Sequence, residues 1–429
     1  MAQDRLTLRQ AIDEALRQSP QAAIARADLS DARAAAEMAR TQLLPQLSFT
    51  EDISRGNDPV YAFGTRLRQR QFTQADFALN ALNSPQPIGN FSTRFFGSWT
   101  AFDSFKTQRE IRRADRIRES ISSSARAADQ QIVLRVVEAF LSVLHAQREV
   151  AVAQHEQETA AALLNSADEH VKAGLAVDSD QMLAEVNAAT RKEELIAAQG
   201  DVELAWAELR EAMGAPDLKA SALKPIESHP FPQHRLEEEL ATAAMSRPDL
   251  KSLGEAQSAQ RSAVGAARSD FGPRVSAYGS WEEDHGLQGS TGGNNWVAGV
   301  KIGVDIPPMG KRAQFARECA AKQRIDAQLA ASQMRARTEV SQAHIRRQTV
   351  ELQLETARAA MDQSAESLRI LKNRYSAGLA TITDLLGAED AERQSQSSYW
   401  HAVYGNAMAY AELLYATGTL TANAAEELQ

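Results

Sequence analysis

Cysteine is nearly absent from this 429-residue chain. Cys319 stands alone, so no internal disulfide can form and no thiol pair exists to bind a metal or run a redox cycle. It is read as a small packed residue. No run of about 18 apolar residues occurs, which excludes a helical membrane span and leaves a β-barrel as the membrane option. The eight histidines are scattered, and no closely spaced set of Asp, Glu and His has metal-ligand spacing. No catalytic constellation stands out, so the expectation is a protein that is not an enzyme and holds neither cofactor nor metal. Basic residues form no stripe against the net charge of -9, which argues against a nucleic-acid partner. Gly286, Gly289, Gly292 and Gly293 form a turn with no helix behind it, so they do not read as a phosphate loop. Met1-Ala2-Gln3-Asp4 is not a signal peptide, and an exported protein would already have lost its leader.

Proline and glycine are missing from two long stretches, Lys106 to Lys172 and Lys311 to Ser376. Alanine is abundant instead, as in Ala34, Ala35, Ala36 and Ala160, Ala161, Ala162, and small side chains let helices pack closely. Val133, Val136, Val137, Phe140, Leu141 and Leu144 fall on one helical face. At 1.5 Å per residue each long stretch makes a helix of about 100 Å. Flanking helices are expected over 5–41, 179–213, 235–270 and 383–417, each about half that length. Two stacked end to end match one long helix, and all need antiparallel neighbours to bury their apolar stripes.

The sequence also repeats itself. Gly174 and Gly378, and Gly214 and Gly418, share a separation of 204, and Ala173-Gly174-Leu175-Ala176 matches Ala377-Gly378-Leu379-Ala380. Upstream, Pro20 aligns with Pro248 and Pro45 with Pro273 at a separation of 228. The first half therefore carries 24 more residues, between Glu51 and Phe95, where glycines, asparagines and prolines mark a long loop. The implied organisation is a first repeat over 1–214, a proline-rich linker over 215–234, a second repeat over 235–418 and a C-terminal segment over 419–429.

Each repeat reads as helix, two strands, long helix, turn and helix. Trp296, Ala298, Val300, Ile302, Val304 and Ile306 alternate with mostly small or charged residues; Val275, Ala277, Gly279 and Trp281 alternate with Arg274, Ser276, Tyr278 and Ser280, and Phe95, Gly97, Trp99 and Ala101 with Phe96, Ser98, Thr100 and Phe102, with a weaker strand near Gln46 to Ser54. Four strands cannot close a barrel within one chain. They form either a soluble sheet or a membrane barrel completed by other chains. Trp99, Trp281 and Trp296 at strand ends favour membrane interfaces, with Val300 and Ile302 as further lipid-facing candidates.

With these features the chain resembles the TolC-like outer-membrane factors, exit ducts of tripartite efflux pumps and type I secretion systems. The likeness covers almost the whole chain and includes the repeat, the strand pair in each half, and the tip sequences His170-Val171-Lys172-Ala173-Gly174-Leu175 and Arg374-Tyr375-Ser376-Ala377-Gly378-Leu379. It implies a mainly α fold with a small β part, in which three chains give four strands each to a 12-stranded barrel continued by a long helical barrel. It also implies a homotrimer in the outer membrane of a Gram-negative bacterium, extending into the periplasm, touching outer-membrane lipid and meeting an adaptor protein and an inner-membrane transporter.

The resemblance makes Gly174, Leu175, Gly378 and Leu379 candidates for adaptor docking, although helix-hairpin chemistry alone also accounts for the glycines. Ser179 and Thr383 are expected to cap the returning helices. Asp180 and Asp384 lie in the first turns of those helices, where the helix dipole favours a carboxylate. In the family such aspartates ring the pore, and Tyr375 matches a tyrosine of the same constriction. Ala380 stands where the family's namesake carries an arginine, so that protein's closing links do not carry over. Arg66, Arg68 and Arg70 in the long loop read as solvated charges, or as contacts for lipopolysaccharide. The alternatives to a duct are a periplasmic adaptor, which would show one hairpin flanked by compact β-domains, and a soluble helical scaffold, which would have no need of Trp-ended strands.

Overall fold

The computed structural model describes residues 5–174, 176–220, 222–226, 230–287, 292–306 and 309–428. Its elements run α1 (Leu8–Gln18), α2 (Pro20–Thr41), β1 (Gln46–Gly56), α3 (Pro59–Arg68), α4 (Leu79–Asn83), β2 (Ile88–Phe102), α5 (Lys106–Lys172), α6 (Asp178–Met213), α7 (Leu236–Ser246), α8 (Pro248–Ser269), β3 (Arg274–His285), β4 (Gly292–Gly303), α9 (Met309–Ser376), α10 (Ile382–Thr417) and α11 (Ala422–Glu426). The matched lengths are 11 residues for α1 and α7, 22 for α2 and α8, and 36 for α6 and α10. Helix α5 has 67 residues and α9 has 68, as the missing breakers require.

The expected single helices over 5–41 and 235–270 are each two. The chain turns extended at Ser19 (ψ 133) and Arg247 (ψ 119), the residues before Pro20 and Pro248. A proline ring clashes with a preceding residue in helical conformation, so the break is local chemistry. Strand β2 begins earlier than expected, at Ile88, and β4 ends at Gly303 before reaching Ile306.

One compact unit comprises Met1–Ser30, Ser120–Gly254 and Gln328–Gln429. Its main core gathers Leu8 and Ile12 of α1, Val136, Phe140 and Val143 of α5, Trp206 and Leu209 of α6, and Tyr404 and Tyr410 of α10. The proline-rich linker is part of this core. Leu223 pairs with Leu6 as a short parallel bridge, and Phe231 stacks on Tyr410 at 4.4 Å between ring centroids. Arg347, itself buried, donates to the Phe231 carbonyl at 3.0 Å and so fixes the linker against α9. His145 packs edge-on against Tyr404.

The other unit comprises Asp31–Glu119 and Glu255–Ala327. It holds one antiparallel sheet in the order β1-β2-β3-β4. Buried Ala259, Ala263, Ala266 and Ala267 form the close-packed stripe of α8, and Arg109 of α5 reaches the Gly265 carbonyl at 3.1 Å. Helices enter and leave at one end of every strand, while the β1–β2 and β3–β4 connections lie together at the other.

Candidate functional site

Apart from a bulge at Ala101 of β2, the register sorts the paired strand residues onto one of two faces, because directly paired residues in an antiparallel sheet point the same way. Trp296, Trp281, Phe95 and Phe49 form one cross-strand row, and Val300, Ala277 and Trp99 another; Ile302 pairs with Val275. Ring contacts run along the first row, at 5.1 Å from Phe49 to Phe95 and 5.9 Å from Phe95 to Trp281. This apolar face is open. Trp296 is 78% exposed, Val300 67% and Ile302 72%, far more than a face packed on a core would allow.

The opposite face is mostly polar, with Phe96, Tyr278 and Val297 among its exceptions. Ser48, Thr50 and Asp52 of β1 lie on it with Ser92, Arg94 and Ser98 of β2, Ser276, Ser280 and Glu282 of β3, and Lys301 of β4. Arg94 donates to Glu282 at 2.8 Å, and Arg68 reaches the same carboxylate at 3.3 Å. An open apolar face backed by a polar one reverses the polarity of a soluble sheet on its core, and matches a barrel wall between lipid and water. All five lipid-facing candidates lie on the apolar face.

The second region is the end of the helical hairpins. Gly378 has φ +72, its N–H donates to the Tyr375 carbonyl at 2.9 Å, and Leu379 N–H donates to the Arg374 carbonyl at 2.8 Å. This bond pair closes a helix with a left-handed residue, which glycine adopts without a Cβ penalty. Gly174 repeats it with φ +73 and a bond to the Val171 carbonyl; Leu175 lies outside the described residues. The caps of the returning helices fall two residues earlier than expected, at Val177 and Thr381 in place of Ser179 and Thr383. Val177 has no side chain able to cap.

Thr381 and Asp384 form a reciprocal capping box. Thr381 Oγ1 accepts from Asp384 N–H at 3.2 Å, and Asp384 Oδ2 accepts from Thr381 N–H at 3.0 Å and from its hydroxyl at 2.7 Å. These bonds, with the charge of Arg374, hold the Asp384 carboxyl below the usual aspartate value. Asp180 lies near Tyr375, whose phenol is pushed up by burial and then by that carboxylate. His170 packs on Tyr375 at 6.1 Å, over a small core of Leu163, Ala167, Ala184, Ile382 and Leu385. Thus Tyr375 and Asp180 are brought together, Asp384 is engaged as a cap, and Leu379 projects outward at 68% exposure.

Neither periodicity nor motif indicated a buried charge cluster farther from the tip. Arg191 of α6 pairs with Glu194 at 2.8 Å and with Asp390 of α10, while Lys372 of α9 lies 3.9 Å from Glu389 of α10. Buried Glu156 of α5 sits among them, its carboxyl raised by burial and then by Glu392; Glu389 is likewise raised by burial. Helices α5 and α9 contribute one charge each, α6 two and α10 three, and no local spacing reveals such a set.

Over residues 11–215 and 240–419 the sequence matches the model of the outer membrane efflux proteins. The chain belongs to that family. Its fold is similar to a crystallised membrane protein from Pseudomonas aeruginosa, at TM-score 0.82 and 20% identity over 96% of this chain and 93% of that one. It is also similar to the Campylobacter jejuni CmeC outer membrane channel, at 0.80 and 18% over 96% and 85%. The open-state Neisseria gonorrhoeae MtrE outer membrane channel follows at 0.77 and 19% over 96% and 91%. Comparison with curated proteins finds no match. The protein is an outer-membrane efflux duct, and the adaptor and scaffold alternatives fall away.

Proposed function

We propose that the chain is one third of a passive homotrimeric duct in a Gram-negative outer membrane, taking cargo from an inner-membrane transporter through a periplasmic adaptor. The observation that carries this reading is the sheet. Its apolar face is open, and β1 and β4 are edge strands whose pairing groups face no further strand among the described residues. In hydrocarbon such edges cost several kcal/mol per unsatisfied group, and three copies joined β4 to β1 remove them all. The division into repeats at 1–214 and 235–418, joined by 215–234, gives six quasi-equivalent units around the ring and suits that closure.

No enzymatic step is needed, since a duct lowers a barrier to passage and makes no bond. Asp180, Asp384 and Tyr375 line the mouth in this account, and Gly174, Leu175, Gly378 and Leu379 present the tips to the adaptor. Leu379 supports this assignment, because an exposed leucine on a rigid two-bond turn gives a partner apolar contact at little ordering cost. A photo-crosslinking amino acid at Leu379 should trap, in cells, a periplasmic protein with a long helical hairpin. Crosslinks that form only between copies of the chain itself would sink the docking role.

A further inference from the structure

The connection 57–87 between β1 and β2 has a defined place on the sheet. Its helix α3 packs against β2 and β4, on the polar face. Gln69, wholly buried, donates its amide to the Gly89 carbonyl and the Asn90 side chain, both at 2.8 Å, and Asn90 donates to buried Asp284 at 2.7 Å. Next along the strands, Arg68 and Arg94 share Glu282. Tyr61 of α3 bonds to Ser54 of β1 at 2.9 Å, Arg70 donates to the Asn294 carbonyl at 3.2 Å, and Arg66 is paired with Asp76. The three arginines expected to be solvated or to meet lipopolysaccharide are therefore held by the protein. β4 is shaped for this contact, because a Cβ on Gly293 would stand 2.2 Å from the Arg68 carbonyl oxygen.

The polar face is the water side of the barrel, and this end of the strands is opposite the helices, hence toward the cell exterior. We propose that 57–87 is a fixed outer constriction. Each copy's α3 lies inside the ring on its own strands, so the width of the surface opening is set by three inserts, and Arg68, Glu282 and Arg94 line what remains. The counterpart connection in the second half, 286–291, is far shorter. One insert per chain therefore gives three around the ring where six repeats would otherwise be alike. The inference rests on the duct reading, and it adds size selection at the exit.

The test labels cysteines from outside intact cells, in a chain carrying Cys319→Ala, with a small charged thiosulfonate and a bulky polyethylene glycol maleimide. Ser280→Cys reports the water face deeper than α3, and Val300→Cys reports the lipid face. The small reagent should reach Ser280→Cys and not Val300→Cys. The bulky reagent should be slow at Ser280→Cys and about tenfold or more faster once 57–87 is trimmed to a short turn, because the steric barrier the insert sets is then removed. Gly293→Val, with the insert at full length, should also accelerate it by displacing Arg68, and this variant decides the matter if the trimmed chain does not assemble. Equal bulky-reagent rates in the parent chain and in Gly293→Val, with small-reagent labelling normal, would overturn the constriction and leave the duct standing. Small-reagent labelling of Val300→Cys but not Ser280→Cys would overturn both.

Discussion

Val300→Arg is the perturbation whose size the structure fixes best. Val300 shares the open apolar face with Trp296 and Ile302. At about 3.4 Å per residue and a strand tilt near 45°, the span from Trp296 to the strand end at Gly303 covers about 17 Å of height, roughly two thirds of the apolar band of a barrel. Val300 is near its middle, where an arginine costs roughly 2–4 kcal/mol, or about 6–12 kcal/mol for three well-separated copies. The control is Val297→Arg, the same chemical change on the water face, where Lys301 already places a charge in the native chain. Its expected cost is near zero. Assembly is read as the yield of folded trimer in outer-membrane fractions on semi-native gels. Val300→Arg should lose most of it and Val297→Arg should match the parent. Equal yields for the two variants would refute the face assignment, and with it the barrel wall.

At the mouth, the Asp180→Asn, Asp384→Asn double variant should weaken cation preference in single-channel recordings under asymmetric salt, because rings of carboxylates attract cations; unchanged selectivity would leave both as helix-terminal residues. Asp384 has a lowered value in the folded chain, so its capping contribution is present above 3.8, the unfolded value, and is lost as pH falls through the lower folded one. Glu156 runs the other way. Raised by burial and by Glu392, it penalises the folded state above its folded value, and the penalty is absent below the unfolded value of 4.5. Glu156→Gln should therefore raise the melting temperature near neutral pH, with the gain vanishing as the medium is acidified toward that value. A gain independent of pH would point to repacking in place of relieved charge.

Much of the architecture was legible because it depends on local rules. Long helices followed from the absence of breakers between Lys106 and Lys172, and the faces of β4 from strict alternation beginning at Trp296. The splits at Pro20 and Pro248 were signalled too, since any residue before proline resists the helical conformation. Likewise Thr381-Ile382-Thr383-Asp384 held the capping box, but two threonines competed and only backbone geometry chose Thr381. The insert was opaque for a different reason. Gln69, Asn90 and Asp284 are brought together by sheet register across long sequence separations, and polar residues in a loop give no sign that they are buried. The cluster around Arg191 and Glu156 joins four helices and was hidden in the same way.

The central claim is that four strands per chain are one third of a closed barrel. Native mass measurement on the protein extracted by detergent from outer membranes tests it most directly. Three copies of 46.8 kDa predict a single species near 140 kDa that is lost when β4 carries Val300→Arg. A stable monomer or dimer as the sole membrane species, or recovery of the parent chain in the soluble fraction, would contradict the account.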